Sequence, residues 1–187
     1  MKLLPCEIPG LLILEPQVFT DERGSFMETY SMERLAADGF HEVFVQDNES
    51  VSGKGVIRAL HFQNPPFAQG KLVRVVKGAV WDVAVDIRRG SPWYGKHVKV
   101  LLSAANNRMF WLPPGFAHGF AALEEDTIFS YKCTNPYRKE AEHSIRFDDP
   151  DLGIDWGVDS PVVSARDLRA SAFSNHAGLF SWEGELR

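Results

Sequence analysis

Four basic side chains lie close together on strand-like sequence: Arg58 and His61 in GVIRALHFQ (55–63), Lys71 in QGKLVRVVKG (69–78) and His118 in PPGFAHGF (113–120). An imidazole that titrates near neutrality can take a proton from carbon, and an ammonium group beside it can hold the charge that a neighbouring carbonyl oxygen then acquires. This set needs no bound ion. The chemistry it suits is abstraction of a proton alpha to a ketone, with the enolate steadied by a cation.

Each of these residues has a structural alternative. His61 follows Arg58 by three positions, so an unbroken strand points the two to opposite faces, and only a bulge or twist brings them together. A lone strand histidine is more often a hydrogen-bonded structural residue, but Gln63, Gln69 and Arg74 make this neighbourhood polar. Lys71 reads equally as a solvated strand end. His118 follows the turn Pro113-Pro114-Gly115 and would be exposed there, although Ala117 and Gly119 leave room beside it for a ligand.

Tyr131 shares strand parity with Phe129 and Cys133, so it is either a core aromatic or a phenol facing the base as proton donor. Tyr137, after Asn135-Pro136, is a loop aromatic able to stack on a ring. Asp167 completes Ser164-x-x-Asp167, the pattern of a capping box at a helix start, and on the residues alone this reading is favoured over a pairing of its carboxylate with His61. Arg23 stands beside Gly24 in a charged turn, with Glu28 on the strand that follows; solvation is the default for such a turn. Arg23, Arg58 and Lys71 are still the cations best suited to a diphosphate, since guanidinium groups bind phosphate oxygens bidentately.

A metal site is not expected. The histidines at 41, 61, 97, 118, 143 and 176 form no HxH or HxxxH pair, and no carboxylate follows at a short ligand spacing.

The elements that must position these groups are short strands. Trp81, Val83, Val85 and Ile87 alternate with Asp82, Ala84, Asp86 and Arg88, which predicts a half-buried strand with one polar face. Further strands are expected over 98–102, 109–112, 119–123 and 127–133, separated by turns such as Arg89-Gly90-Ser91-Pro92 and Ala105-Asn106-Asn107. Helix is scarce: Ser31 to Ala37, capped by Ser31, and Ser164 to Ala172 are the two candidates. Many short strands mean a sandwich or barrel, all-β, whose inward polar residues can line a ligand cavity.

A chain of 187 residues that is 44% hydrophobic suits one domain spanning 1–187, and a net charge of −5 argues against a nucleic-acid partner. Cys6 and Cys133 form no CxxC and read as free thiols of a reducing compartment. Pro5, Glu7, Pro9 and Gly10 break the apolar start well short of a membrane span or signal, so a cytoplasmic protein with no membrane contact is expected.

Several motifs in order carry a resemblance: FTDERGSFMETY (19–30), QDNESVS (46–52), GVIRALHFQ (55–63), QGKLVRVVKGAVWDVAVDIR (69–88), PPGFAHGF (113–120), FSYKCTNPY (129–137) and SARD (164–167). Together they resemble the dTDP-4-dehydrorhamnose 3,5-epimerases, nucleotide-sugar epimerases of the cupin-like class. The resemblance implies a double-stranded β-helix, or jelly-roll barrel, with short peripheral helices. It implies His61 as general base, Asp167 as its partner in place of the capping role, Tyr131 as opposing acid and Lys71 as the enolate's cation. Contacts to the dTDP-sugar fall to Arg23, Glu28, Gln46, Asn48, Arg58, His118 and Glu142, with Tyr137 and Arg166 beside them. It further implies catalysis without cofactor, and a homodimer in which an N-terminal strand can complete the neighbour's sheet. Ala59 and Arg166 depart from the glycine and lysine usual in such sequences, which leaves nucleotide preference more open than reaction type. The alternatives are an epimerase acting at C3 or C5 alone, or a non-catalytic sugar- or metal-binding cupin.

Overall fold

A computed structural model describes residues 1–176 and 178–184. Strands β1 (Lys2–Pro5), β2 (Leu12–Glu15), β3 (Val18–Asp21) and β4 (Gly24–Met27) lead into helix α1 (Met32–Ala37). Then come β5 (Gln46–Ser52), β6 (Val56–Gln63), β7 (Lys71–Lys77), β8 (Ala79–Asp86) and the two-residue β9 (Arg88–Arg89). The remaining strands are β10 (His97–Ser103), β11 (Met109–Leu112), β12 (Phe116–Ala122), β13 (Thr127–Cys133), β14 (Glu142–Ser144), β15 (Val162–Val163) and β16 (Phe180–Ser181). The strands expected over 109–112 and 127–133 have those bounds, that over 98–102 gains one residue at each end, that over 119–123 is shifted to 116–122, and that over 81–88 divides into β8 and β9.

One six-stranded sheet runs β1-β2-β11-β7-β13-β5, and a second runs β10-β8-β12-β6-β14 with β15 added in parallel to β6. Val73, Val75, Phe110 and Phe129 of the first sheet meet Val80, Ala84, Val100, Leu102 and Phe120 of the second in a shared core. This is the cupin-like jelly roll that the motifs imply.

The outer faces are covered as well. Beneath α1, Leu35 and Phe40 seal Leu14, Leu72, Met109 and Trp111 of the first sheet. Burying Leu35 to 1% exposure stabilises this cover by about 1.5–3 kcal/mol. The helix starts where Ser31 caps the Arg34 N–H, as expected. Leu152, Trp156 and Phe173 of the C-terminal segment cover Ile57, Leu60, Val83 and Val85 on the second sheet.

Two expectations change. The strand over 81–88 is not half-exposed: its apolar side lies under the C-terminal segment, and its polar side faces the interior, where Asp82 and Asp86 are both 0% exposed. Asp86 bonds Arg88 at 2.9 and 2.6 Å, and the guanidinium lies between the rings of Phe116 and Trp182. The helix expected over 164–172 is a single 3-10 turn, Asp167–Arg169. Its chain is held at both ends, by Val163 in β15 and by a bridge from Ser171 to Ile145, which leaves no length for an α-helix.

Candidate active site

The site begins with an irregularity in β6. His118 pairs with His61, but Phe120 pairs with Arg58, so β6 spends one more residue than β12 over the same stretch. That bulge breaks strand parity: Ala59 and Leu60 are both buried, and Arg58 and His61 both line one cavity. Close approach of the two strands here requires Gly119, because a Cβ at that position would lie 2.8 Å from the Arg58 carbonyl oxygen and collide with Ala59. The Ala59 methyl points into the outer core and not into the cavity.

The cavity measures about 440 Å³. His61 and His118 come from one sheet, Lys71 and Tyr131 from the other, so the imidazole of His61 and the Tyr131 phenol rise from opposing walls. Asp167 reaches in from the turn after β15, and its Oδ1 lies 2.7 Å from His61 Nε2. The Ser164 hydroxyl does accept the Asp167 N–H at 3.0 Å, so half of the capping pattern forms while the carboxylate goes to the histidine. With Asp167 ionised, Nε2 carries the proton and Nδ1 keeps the lone pair.

The electrostatics follow from burial set against partners. Burial alone would raise the Asp167 carboxyl, but the hydrogen bond and charge of His61 outweigh it and hold the group below its usual value. Lys71 is pushed down by burial, against the opposing charges of Cys133, Glu142 and Asp82. Tyr131 is pushed up, chiefly by burial, and therefore stays a phenol able to donate. Asp82, missed in the sequence, bonds His118 Nε2 through both oxygens at 3.1 and 2.9 Å. Burial moves both groups toward their neutral forms, Asp82 up and His118 down. An aspartate in the middle of a Val- and Ala-rich strand was the available signal, since such a carboxylate is buried only with a partner.

Around the mouth, Arg58 donates to Ser52 Oγ and to the Val51 carbonyl, each at 3.1 Å. Tyr137 Oη and Arg166 Nη2 converge on Glu142 Oε2 at 2.6 and 2.7 Å. The Tyr137 N–H donates to Gln46 Oε1 at 2.8 Å, and Gln46 in turn donates to Asn48 at 3.0 Å. Gln63 accepts the Arg138 N–H at 2.6 Å and so fixes the loop that presents Tyr137. Of this group only Arg58 and Arg166 line the cavity itself.

Arg23 and Glu28 are not brought to it. Arg23, with its side chain 83% exposed, pairs with Asp21 at 2.6 Å, and Glu28 pairs with Arg34 at 3.5 Å. The physical reason is that β3 and β4 pair only with each other and join neither large sheet. Among the described residues no three His, Cys, Asp or Glu side chains gather as metal ligands, and no helix is long and apolar enough to cross a membrane.

Residues 5–175 match the family model described as dTDP-4-dehydrorhamnose 3,5-epimerase. The chain is 50% identical to the enzyme of that name from Shigella flexneri over 174 residues, covering 92% of this chain and 96% of the relative. Its structure is similar, at a TM-score of 0.92 and 43% identity, to the dTDP-6-deoxy-D-glucose-3,5-epimerase of Legionella pneumophila in complex with dTDP-4-keto-L-rhamnose, covering 98% and 99% of the two chains. It is also similar to ChmJ, a 3'-monoepimerase of Streptomyces bikiniensis in complex with dTDP-quinovose, at 0.86 and 35% identity over 91% of this chain and 87% of that one. A match running nearly end to end, with half-identical relatives of comparable length, means that the chain belongs to the dTDP-4-dehydrorhamnose 3,5-epimerase family.

Proposed function

We propose that the protein converts dTDP-4-dehydro-6-deoxy-D-glucose into dTDP-4-dehydro-L-rhamnose by inverting C3 and C5. The observation that carries this reading is the His61–Asp167 pair on one wall of the cup, faced by Tyr131 and Lys71 on the other.

The C4 ketone acidifies the hydrogens on both neighbouring carbons, because either carbanion delocalises onto the same oxygen. His61 removes one proton, and the Asp167 carboxylate favours the imidazolium that forms. Lys71 holds the enolate oxygen. Tyr131 returns a proton from the opposite face, so the centre inverts. A turn of the sugar ring then brings the second carbon to the same base. No redox step or electron sink is needed, and the reading includes no metal or organic cofactor.

Arg58, His118 and Arg166 would hold the sugar diphosphate, with Tyr137 over the nucleobase and Gln46, Asn48 and Glu142 around it. Arg23 and Glu28 would serve the cup of a second copy. The β3–β4 hairpin supports this, since it leaves Phe19 54% and Phe26 69% exposed and carries both charges away from its own cavity. We read 1–187 as one domain, since both sheets share a core, as a homodimer through that hairpin, and as cytoplasmic, a reducing compartment to which the two free cysteines are suited.

Turnover of the dTDP-4-keto sugar in deuterium oxide tests the reading. Label at both C3 and C5, lost in His61→Ala, is the expected result. Label at one carbon only would move the protein to the monoepimerases, to which ChmJ belongs, and exchange at the ordinary rate in His61→Ala would sink the mechanism.

A further inference from the structure

The inner face of β5 carries a row of four polar side chains, Gln46, Asn48, Ser50 and Ser52, alternating with outward Asp47, Glu49 and Val51. Three of the four are engaged. Gln46 bonds Asn48 and the Tyr137 N–H, Asn48 reaches Cys133, and Ser52 receives Arg58. Ser50 lines the same cavity as Arg58, His61 and Tyr131, yet its hydroxyl is closed off from solvent and bonds no described residue. Its cross-strand neighbour on β13 is Phe129, whose ring offers it no acceptor.

A buried hydroxyl without a partner costs folding free energy, and an alanine there would cost nothing. Such a group earns its place when something else supplies the missing bond. A staggered χ1 step is the only motion needed to redirect a serine oxygen.

We propose that Ser50 is a further substrate-binding residue, whose hydroxyl turns into the cup to hydrogen-bond an oxygen of the sugar diphosphate seated beside Arg58. The inference rests on the epimerase reading of the cavity. It makes the serine a contact that strengthens only on filling, so the hydroxyl favours binding at the expense of stability.

Ser50→Ala in the full chain separates these effects. Three quantities are measured for wild type and variant: kcat/KM on the dTDP-4-keto sugar, affinity for dTDP by calorimetry, and Tm. One neutral hydrogen bond corresponds to a loss of about fivefold to tenfold in kcat/KM, and Tm should stay level or rise. An equal loss in dTDP affinity assigns the contact to a phosphate oxygen, and unchanged dTDP affinity assigns it to the hexose; both support the proposal. An unaltered kcat/KM, or a loss accompanied by a fall in Tm, overturns it. Wild-type turnover is the separate control. If the wild type leaves the substrate untouched, the epimerase reading fails and dTDP affinity alone decides, weaker binding retaining the Ser50 contact and equal binding removing it.

Discussion

Asp167→Asn removes one charge and almost no volume. Asp167 is 3% exposed, and its Oδ1 lies 2.7 Å from His61 Nε2, a length typical of a charge-assisted bond. Such a bond contributes about 1.5–3 kcal/mol, and most of it is realised only when the imidazole becomes cationic on taking the substrate proton. At about 1.4 kcal/mol per factor of ten, kcat should fall on the order of 10- to 100-fold while KM changes little. The loss is greater if the amide turns its NH₂ toward Nε2, because that moves the ring proton to Nδ1 and removes the base. The assay is wash-in of deuterium at C3 and C5 under saturating substrate, alongside Tm. A capping role predicts something different. Asparagine accepts a backbone N–H as aspartate does, so a purely structural Asp167 would tolerate the change. Exchange within twofold of wild type would therefore refute the pairing as the source of the base's strength.

Three further outcomes follow from the geometry. Burial drives Lys71 below its ordinary 10.5, so as pH rises the lysine loses its charge and activity should decline through a limb beginning below pH 10.5, while burial moves loss of the Tyr131 proton above its ordinary 10.0. That limb should persist in the residual exchange of Tyr131→Phe; its disappearance would assign it to the phenol instead. Gly119→Ala sets a methyl 2.8 Å from the Arg58 carbonyl oxygen and against Ala59, and should destabilise by about 3 kcal/mol in urea unfolding. Wild-type stability in that variant would mean that the bulge is loosely packed. Arg23→Ala, whose side chain touches nothing in its own cup, should raise KM several-fold with Tm unchanged, and mixing it with an inactive His61→Ala variant should restore wild-type KM in the mixed dimers. A KM equal to wild type in Arg23→Ala would remove the hairpin from the site.

The strands over 109–112 and 127–133, the Ser31 cap and the soft positions of turns were legible because each depends on neighbours within a few residues. The cup was legible only in part. His61 and Arg58 face one cavity although simple alternation separates them, because Gly119, some 60 residues away, lets β6 bulge against β12. Asp82 looked like the exposed side of a half-buried strand. Alternation identifies two faces but not which one meets water, and here the polar face turned inward to His118.

What the chain's own order of residues determined was the class of fold, through period-two patterning broken by Pro and Gly, and the inventory of imidazole, phenol, carboxylate and ammonium groups available to a site. Tertiary structure decided which of them meet. It joined His61 to Asp167 across 106 positions, took that carboxylate out of its cap, set Tyr131 and Lys71 on the facing wall, and kept Arg23, on the β3–β4 hairpin, and Glu28, just after it, outside the cup. The reason is physical: a side chain's direction follows from its own backbone, but its partner is chosen by which strands share a ladder, and ladder order is a property of the whole sheet.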